Sequence, residues 1–428
     1  MNILMVTNTY TPHVGGVAQS VASFVGEFRR LGHRVLVMAP EYDETPLDES
    51  DVIRVPAIRN FNGSNFSLPV PIPGLLTTAL ADAPPDIIHA HHPFLLGDTA
   101  LRTGAAFNVP VVFTHHTLYD QYTHYLGGDS PTLQRIASDI ASGYCNLCQG
   151  VIAPSESVAI MLREHAVETP IQVIPTGVQP ERFAAGDGKR MRTELKIPAR
   201  AHVIGHVGRL AQEKNLLFLT EAVADYLRRT PRAYYLVVGG GPLEAEMKSA
   251  LESAGVADRA RFTGVLQGER LANAYRAMDT FAFASHSETQ GMVITEAMAA
   301  RVPVVAVDAP GVRDVVQDGK NGRLIASDDK DAFVAALEWI SQQKGPARRR
   351  LNKSLAQTVE EFSMSRCAQR ALAFYEELQT QAGPASTPDE SSWVAALRWI
   401  EEEWKIMAHH AKALRGALFS ALPPREAA

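Results

Sequence analysis

Short runs of Val, Ile, Leu and Ala, each closed by turn residues, recur along the chain at the spacing of alternating strands and helices. In the first half they fall at residues 2–7, 34–39, 86–91, 110–114, 150–153 and 172–174. In the second half they fall at 202–207, 233–238, 260–264, 280–284, 303–307 and 321–325. Stretches with helical periodicity lie between them, among them 17–31, 132–147, 216–229, 243–253 and 295–300. The short runs are nearly continuous rather than alternating, which suits strands buried on both faces in parallel sheets covered by helices. The pattern predicts an α/β chain of two doubly wound domains in series. In such sheets ligands bind beyond the carboxyl ends of the strands, so the loops after each strand are where chemistry is expected.

PTGVQP at 175–180, with two prolines and a glycine, marks the expected linker. It divides an N-terminal domain (1–178) from a C-terminal domain (179–360), followed by a helix within 361–382. The last segment, 383–428, opens with the spacer GPASTPDE and continues as a helical tail. In the tail Trp393, Leu397, Ile400, Trp404, Met407, Ala411, Leu414 and Leu418 step by four and three, forming an apolar stripe. Three partners suit such a stripe: the body of the protein, a second copy meeting it through 391–422, or a membrane surface.

A chain of 428 residues, 46% hydrophobic and 21% charged, has the globular composition that two ordinary domains need. The formal net charge of −6 gives no general hold on nucleic acid. Residues 1–180 carry eight Arg and no Lys against sixteen Asp plus Glu, a net of −8. Three cysteines make no disulfide framework, and no basic, apolar leader opens the chain, so a reducing cytosol is expected. Cys145 and Cys148 form a CxxC, but no second ligand pair follows for zinc; two small residues in a packed helix is the simpler expectation. No apolar run approaches the ~20 residues of a membrane span, which leaves the protein cytoplasmic or peripheral on the inner face of the membrane.

The strongest chemical signal is ETQGMVITE, running from Glu288 to Glu296. A strand runs into a polar loop and a helix begins near Gly291, so Gln290, Gly291 and Met292 offer backbone N–H groups to a phosphate. Carboxylates on either side suit a ligand with phosphates in the middle and hydroxyls at both ends, the layout of a nucleotide-sugar. Arg209 and Lys214 project after strand 202–207, where paired cations neutralise a diphosphate and stabilise it as a leaving group. In the first domain Gly15 and Gly16 precede Val17 and a helix, which lets backbone amides approach an anion or sugar closely. A third glycine is missing from the dinucleotide fingerprint spacing, and the glycines of 239–241 read as a turn before a helix, so NAD is disfavoured. His89, His91, His92, His115, His116 and His124 gather at two strand ends without recurring carboxylates, predicting a polar, sugar-facing wall rather than a metal site. Tyr119, Tyr122 and Tyr125 beside them suit sugar or acceptor contacts and suit the core equally.

Taken together, GGV at 15–17, His116-Thr117, PTGV at 175–178, GRL…EKN at 208–215 and the E-x7-E of Glu288 and Glu296 resemble family-4 glycosyltransferases. The resemblance covers about residues 1–380. It implies a GT-B fold, two Rossmann-like domains facing a cleft, and retaining transfer without a metal or other cofactor. By position, Arg209 and Lys214 would bind the donor diphosphate, Glu296 the ribose and Glu288 the sugar hydroxyls, helped by Gln290, Gly291 and Met292. Gly15 and Gly16 would approach the diphosphate, the segment from Arg261 to Val265 would lie near the base, and His116 would stand near the anomeric carbon. His116, Arg209, Lys214 and Glu288 would thus carry catalysis, and Val17, His91, His92, Tyr119 and Tyr122 would meet the acceptor. The helix over 364–380 would return to the first domain.

Within the family, residues 53–73, 89–97 and 114–125 resemble diacylglycerol glucosyltransferases, which implies UDP-glucose as donor and a membrane lipid as acceptor. Those enzymes generally present a basic N-terminal surface, whereas this N-terminal domain is acidic and lacks lysine. A soluble sugar or small-metabolite acceptor is the alternative. A UDP-sugar isomerase shares the fold class, and a sugar-nucleotide sensor is the non-enzymatic reading. Damage to Arg209, Lys214, Glu288 or Glu296 would mark the sensor, and all four are present.

Overall fold

A computed structural model describes residues 1–45, 49, 51–58, 67–70, 80, 83–119, 130–382 and 392–420. The chain divides into two compact units, Met1–Thr176 with Cys367–Ala428, and Gly177–Arg366.

The first unit is built on a seven-stranded sheet. Its strands are β1 (Asn2–Val6), β2 (Arg34–Pro40), β3 (Val52–Val55), β6 (Ile87–Ala90), β7 (Val111–Thr114), β8 (Gly150–Ala153) and β9 (Ile171–Val173). A separate antiparallel ladder joins β4 (Ala57–Ile58) to β5 (Leu68–Pro69). All sheet neighbours run parallel in the order β3-β2-β1-β6-β7-β8-β9, and Ile3 stands level with both Val35 and Ile87. Every residue of β6, β7 and β8 is buried, as expected of strands covered on both faces. The edge strand β3 was not anticipated; Val52, Ile53 and Arg54 are only half-buried, so the run lacks the apolar density of its neighbours.

Helices cover this sheet, and their starts are legible locally. Ser130 accepts from the Leu133 N–H at 3.2 Å to cap helix Pro131–Leu147, and Ser155 caps Glu156–Glu164 in the same way at 3.3 Å. Cys145 and Cys148 are free and buried, and burial pushes both thiols up, away from the reactive thiolate.

The second unit repeats the plan with β10 (His202–Val207), β11 (Ala233–Val238), β12 (Ala260–Phe262), β13 (Thr280–Phe283), β14 (Val304–Val307) and β15 (Gly322–Ile325). The order is β12-β11-β10-β13-β14-β15, again parallel throughout. One face packs Leu219, Val223, Tyr235 and Phe333; the other packs Leu236, Tyr275, Phe281 and Met298.

The C-terminal helix Ser392–Ser420 packs on helices Leu96–Phe107 and Pro131–Leu147 of the first unit. The middle of its anticipated apolar stripe is not what docks there; the side chains of Trp393, Leu414 and Leu418 lie outside those described. Ile406 and Ala413 are buried, whereas Leu397, Ile400, Trp404 and Met407 are 45–68% exposed. No helix among the described residues is long and apolar enough to cross a membrane.

Candidate active site

In each sheet the chain reverses its order beside the first strand, between β1 and β6 and again between β10 and β13. The crevice outside such a switch point is the expected ligand position in this fold class. In the second unit the two flanking loops carry the strongest motifs. Lys214 Nζ donates to Glu288 Oε1 at 2.6 Å, joining the loop after β10 to the loop after β13. Arg209 pairs with Glu213. Ser287 Oγ donates to the Glu213 carbonyl at 3.2 Å, and Asn215 Nδ2 donates to Asp328 Oδ2 at 3.0 Å, beside His286 Nε2 at 3.1 Å from Asp328 Oδ1. Asn215 holds a left-handed φ of 53° at the start of helix Leu216–Arg229. The EKN triplet is thus bolted to the 285–288 loop by side chains on both sides.

Gly291, at a φ of 72°, turns the chain into helix Met292–Ala299, so Gln290, Gly291 and Met292 stand at the helix start as expected. Gly311 supports this turn: a Cβ there would stand 2.6 Å from the Gln290 nitrogen. Glu296 lies on the same helix, and Tyr275 Oη donates to its Oε2 at 2.7 Å. Burial raises the Glu296 carboxyl to about 7, while the Tyr275 hydroxyl and Arg182 act in the opposite sense. Tyr275 escaped sequence reasoning because LANAYRAM offers nothing beyond helical periodicity.

The triple glycine is more than a turn before a helix. Leu210 N–H donates to the Gly240 carbonyl at 2.9 Å and Gly208 N–H to the Val238 carbonyl at 3.0 Å. Gly239 and Gly241 hold φ of 136° and 155°, and a Cβ on either would overlap the carbonyl oxygen of Gly208 or Leu210. The missing side chains let the GRL loop lie directly on this segment. Val265, near the anticipated base position, is 61% exposed. Arg261 is structural, donating to the Leu195, Asp258 and Ala260 carbonyls at 2.8 Å each.

In the first unit Asn8 ties the switch-point loops together. Its N–H donates to His92 Nδ1 at 3.1 Å, its amide to the Phe94 carbonyl at 3.1 Å, and its Oδ1 accepts from Leu96 N–H at 3.2 Å. Gly15 precedes helix Gly16–Arg30; Gly16 is exposed and Val17 half-buried. The histidines divide by environment. His91 Nδ1 and His116 Nε2 lie 2.9 Å apart, the one hydrogen-bonded to the other. His89 is a core residue, held between Thr114 Oγ1 and Tyr375 Oη at 2.6 Å each. Burial lowers His89 and His92 to about 3 and His115 to about 4, and holds His91 and His116 well below the ordinary imidazole value. These five imidazoles are therefore neutral near pH 7 and offer hydrogen bonds rather than charge. Tyr119 sets its ring against Phe94 and His115 at 5.9 and 5.5 Å with its hydroxyl buried, the core alternative of its two readings. Tyr122, Tyr125 and His124 lie outside the described residues. Among the described residues no three His, Cys, Asp or Glu side chains gather as a metal ion would need.

Residues 14–182 match the model for "Glycosyltransferase Family 4", and residues 187–357 match "Glycosyl transferases group 1". The chain is similar to the alpha-monoglucosyldiacylglycerol synthase of Streptococcus pneumoniae, 28% identical over 88% of this chain and 85% of that protein. It is also similar to the GDP-mannose-dependent alpha-mannosyltransferase of Mycolicibacterium smegmatis, 32% identical over 79% of this chain and 87% of that one. Among solved structures, sucrose-phosphate synthase of Thermosynechococcus elongatus shares the fold at a TM-score of 0.71 and 21% identity, covering 89% of this chain and all but 1% of its own. Anabaena HepE, solved with UDP-glucose, superimposes at a TM-score of 0.66 and 20% identity over 88% of this chain and 100% of its own. The chain belongs to the family-4 glycosyltransferases, enzymes of GT-B fold that transfer a sugar from a nucleotide-sugar.

Proposed function

We propose that this enzyme transfers glucose from UDP-glucose to the hydroxyl of diacylglycerol, with retention of anomeric configuration and without a metal. The observation that carries the donor half is the pairing at the second switch point, where Lys214 and Arg209 stand with Glu288 before the helix start at 290–292. In this reading the diphosphate takes over the two cations from their carboxylate partners, and Glu288 turns to the sugar hydroxyls. Glu296 holds the ribose and Val265 lies beside the base. Gly15 and Gly16 leave room for the diphosphate, and His116, hydrogen-bonded to His91, positions sugar and acceptor, with Val17 and His92 meeting the acceptor. The acceptor oxygen bonds to the anomeric carbon as the bond to the UDP oxygen breaks on the same face. The acceptor proton passes to the departing phosphate, so the protein mainly supplies position and charge stabilisation. No metal is required, because Arg209 and Lys214 carry the leaving-group charge.

The lipid acceptor is supported by the two alpha-monoglucosyldiacylglycerol synthases among the relatives, from Streptococcus pneumoniae and Acholeplasma laidlawii. The acidic, lysine-free first 180 residues favour a second reading, a soluble sugar or small-metabolite acceptor. The relatives also include GDP-mannose-dependent mannosyltransferases and D-inositol 3-phosphate glycosyltransferases, so both substrates need direct assay. The test is transfer from radiolabelled UDP-glucose to dioleoylglycerol in mixed vesicles, counted after organic extraction, with the anomer read by proton NMR. An α-linked, extractable product is expected. UDP release only with soluble acceptors would move the reading to the second; release only from GDP-mannose would replace the donor.

A further inference from the structure

Over its described side chains, within 397–413, the C-terminal helix is docked inside out. Towards helices Leu96–Phe107 and Pro131–Leu147 it turns mainly polar anchors. Glu403 takes a two-pronged hydrogen bond from Arg102 at 2.6 and 3.0 Å, and His410 Nε2 lies 3.8 Å from Asp98 Oδ1. The His409 ring fills the space left by the missing side chain of Gly143, and among the side chains described in this helix only Ile406 and Ala413 add buried apolar contact. Away from the body it turns Leu397, Ile400, Trp404 and Met407, exposed by 49, 45, 68 and 56%. These four, with exposed Ala411, recur at helical spacing along one side. A helix serving only to pack on the body would exchange the two faces, because burying apolar surface stabilises and exposing it does not.

We infer that this outer face of Ser392–Ser420 docks on the interfacial layer of a lipid bilayer, lying flat and inserting Ile400, Trp404 and Met407. The dimensions favour a bilayer over a second copy. The described stripe is one helix wide and offers on the order of 400 Å² of apolar surface, about half of what each partner of a stable interface buries. A single amphipathic face bearing Trp, Met and Ile is sufficient for an interfacial helix. Charge fits as well. Lys405, paired with Glu401 at 3.0 Å, and exposed Lys412 share one flank of the stripe, where their stems can lie along the apolar face with the ammonium groups at headgroup level. With a net of −8 over residues 1–180, the hold is apolar rather than a general attraction to anionic lipid. The inference accords with a lipid acceptor but rests on this helix alone.

The test is flotation of the full chain, without donor, on vesicles of phosphatidylcholine with and without phosphatidylglycerol. Wild type should float with both. The combined variant Ile400→Gln, Trp404→Gln, Met407→Gln should partition at least about tenfold less, as loss of three inserted apolar side chains implies. All three sites are exposed, and an unchanged melting temperature would show that the helix remains docked. Equal flotation of wild type and variant would overturn the inference. So would no flotation of wild type together with concentration-dependent dimerisation that the variant abolishes, which would make the occupant a second copy. Flotation without lipid glucosylation would leave the docking intact and remove the lipid acceptor. Glucosylation of detergent-dispersed diacylglycerol without flotation would do the reverse.

Discussion

Lys214 Nζ lies 2.6 Å from Glu288 Oε1, so the cation assigned to the leaving group is held by the carboxylate assigned to the sugar. Each side chain is 17% exposed, which screens the pair less than a surface ion pair. A diphosphate competing for the same ammonium exchanges one anion for another and frees Glu288 to accept from hydroxyls. Lys214→Ala and Arg209→Ala should each lower kcat by roughly 10²–10³, the usual cost of removing one donor from a developing charge. Near-normal label transfer in both variants would remove the diphosphate assignment. Glu288→Gln separates the two roles: calorimetry should find UDP bound at least as tightly, while transfer falls by a similar factor. If UDP affinity collapsed as well, Glu288 would be a support for the EKN loop rather than a sugar ligand.

Glu296 makes stability depend on pH. Its carboxyl is raised from the ordinary value to about 7 by burial, against the pull of Tyr275. Between those values the folded state keeps a proton that the unfolded chain has released, so stability falls as pH rises through this window and levels off above it. A shift of this size corresponds to about 3 kcal/mol. Glu296→Gln removes the ionisation and keeps an acceptor for the Tyr275 hydroxyl. Denaturant unfolding should find the variant more stable than wild type at about pH 8 and nearly equal at about pH 4. A difference independent of pH would contradict the raised carboxyl. Donor affinity should fall in the same variant if Glu296 holds the ribose.

Tyr275 tunes that carboxyl. Its hydroxyl favours the ionised form of Glu296, so Tyr275→Phe should move the carboxyl further up. The pH at which UDP affinity rises should then shift upward with it, while affinity well above that pH changes little. An unmoved midpoint would leave Tyr275 a packing residue of the Phe281 face.

Strand positions were legible because a strand buried on both faces is nearly all Val, Ile, Leu and Ala; β3, half-exposed at an edge, lacks that mark. The donor motifs were legible because each is local. Their pairing was not: Lys214 and Glu288 are 74 residues apart, and only the strand order brings their loops together. Asn8 and Tyr275 act through single hydrogen-bonding groups in otherwise ordinary stretches, so composition and periodicity pass over them. The glycines of 239–241 read as a turn because nothing in the sequence shows the Leu210 carbonyl lying against them. The stripe of the C-terminal helix was legible as a period, but its direction was not. That is set by anchors such as Arg102 and Glu403, 301 residues apart.

His91 and His116 form a neutral pair. Burial keeps both well below the ordinary imidazole value, so at 2.9 Å one donates and the other accepts. The activity profile should therefore show no limb near the ordinary imidazole value of about 6.5. His91→Phe keeps a ring of similar size but removes the hydrogen bond that orients His116. It should lower kcat by roughly tenfold, a cost of about 1.4 kcal/mol, with UDP affinity unchanged. An equal loss of UDP affinity would point to a general disturbance of the strand end.

Two glycines separate room needed by the fold from room needed by the substrate. Gly241 has a φ of 155°, and a Cβ there would overlap the Leu210 carbonyl, so Gly241→Ala must distort the GRL loop or the segment beneath it. A loss of about 1–3 kcal/mol is expected, with weaker donor binding as Arg209 moves. At Gly16 a Cβ would meet nothing within 4 Å, and the residue begins a helix that alanine favours. Gly16→Ala should therefore leave the melting temperature unchanged or slightly raised. If the glycine leaves space for the donor diphosphate, transfer should nonetheless fall by at least about tenfold, because the methyl group occupies the room the ligand needs. Full activity in a stable Gly16→Ala protein would show that the donor does not approach this turn.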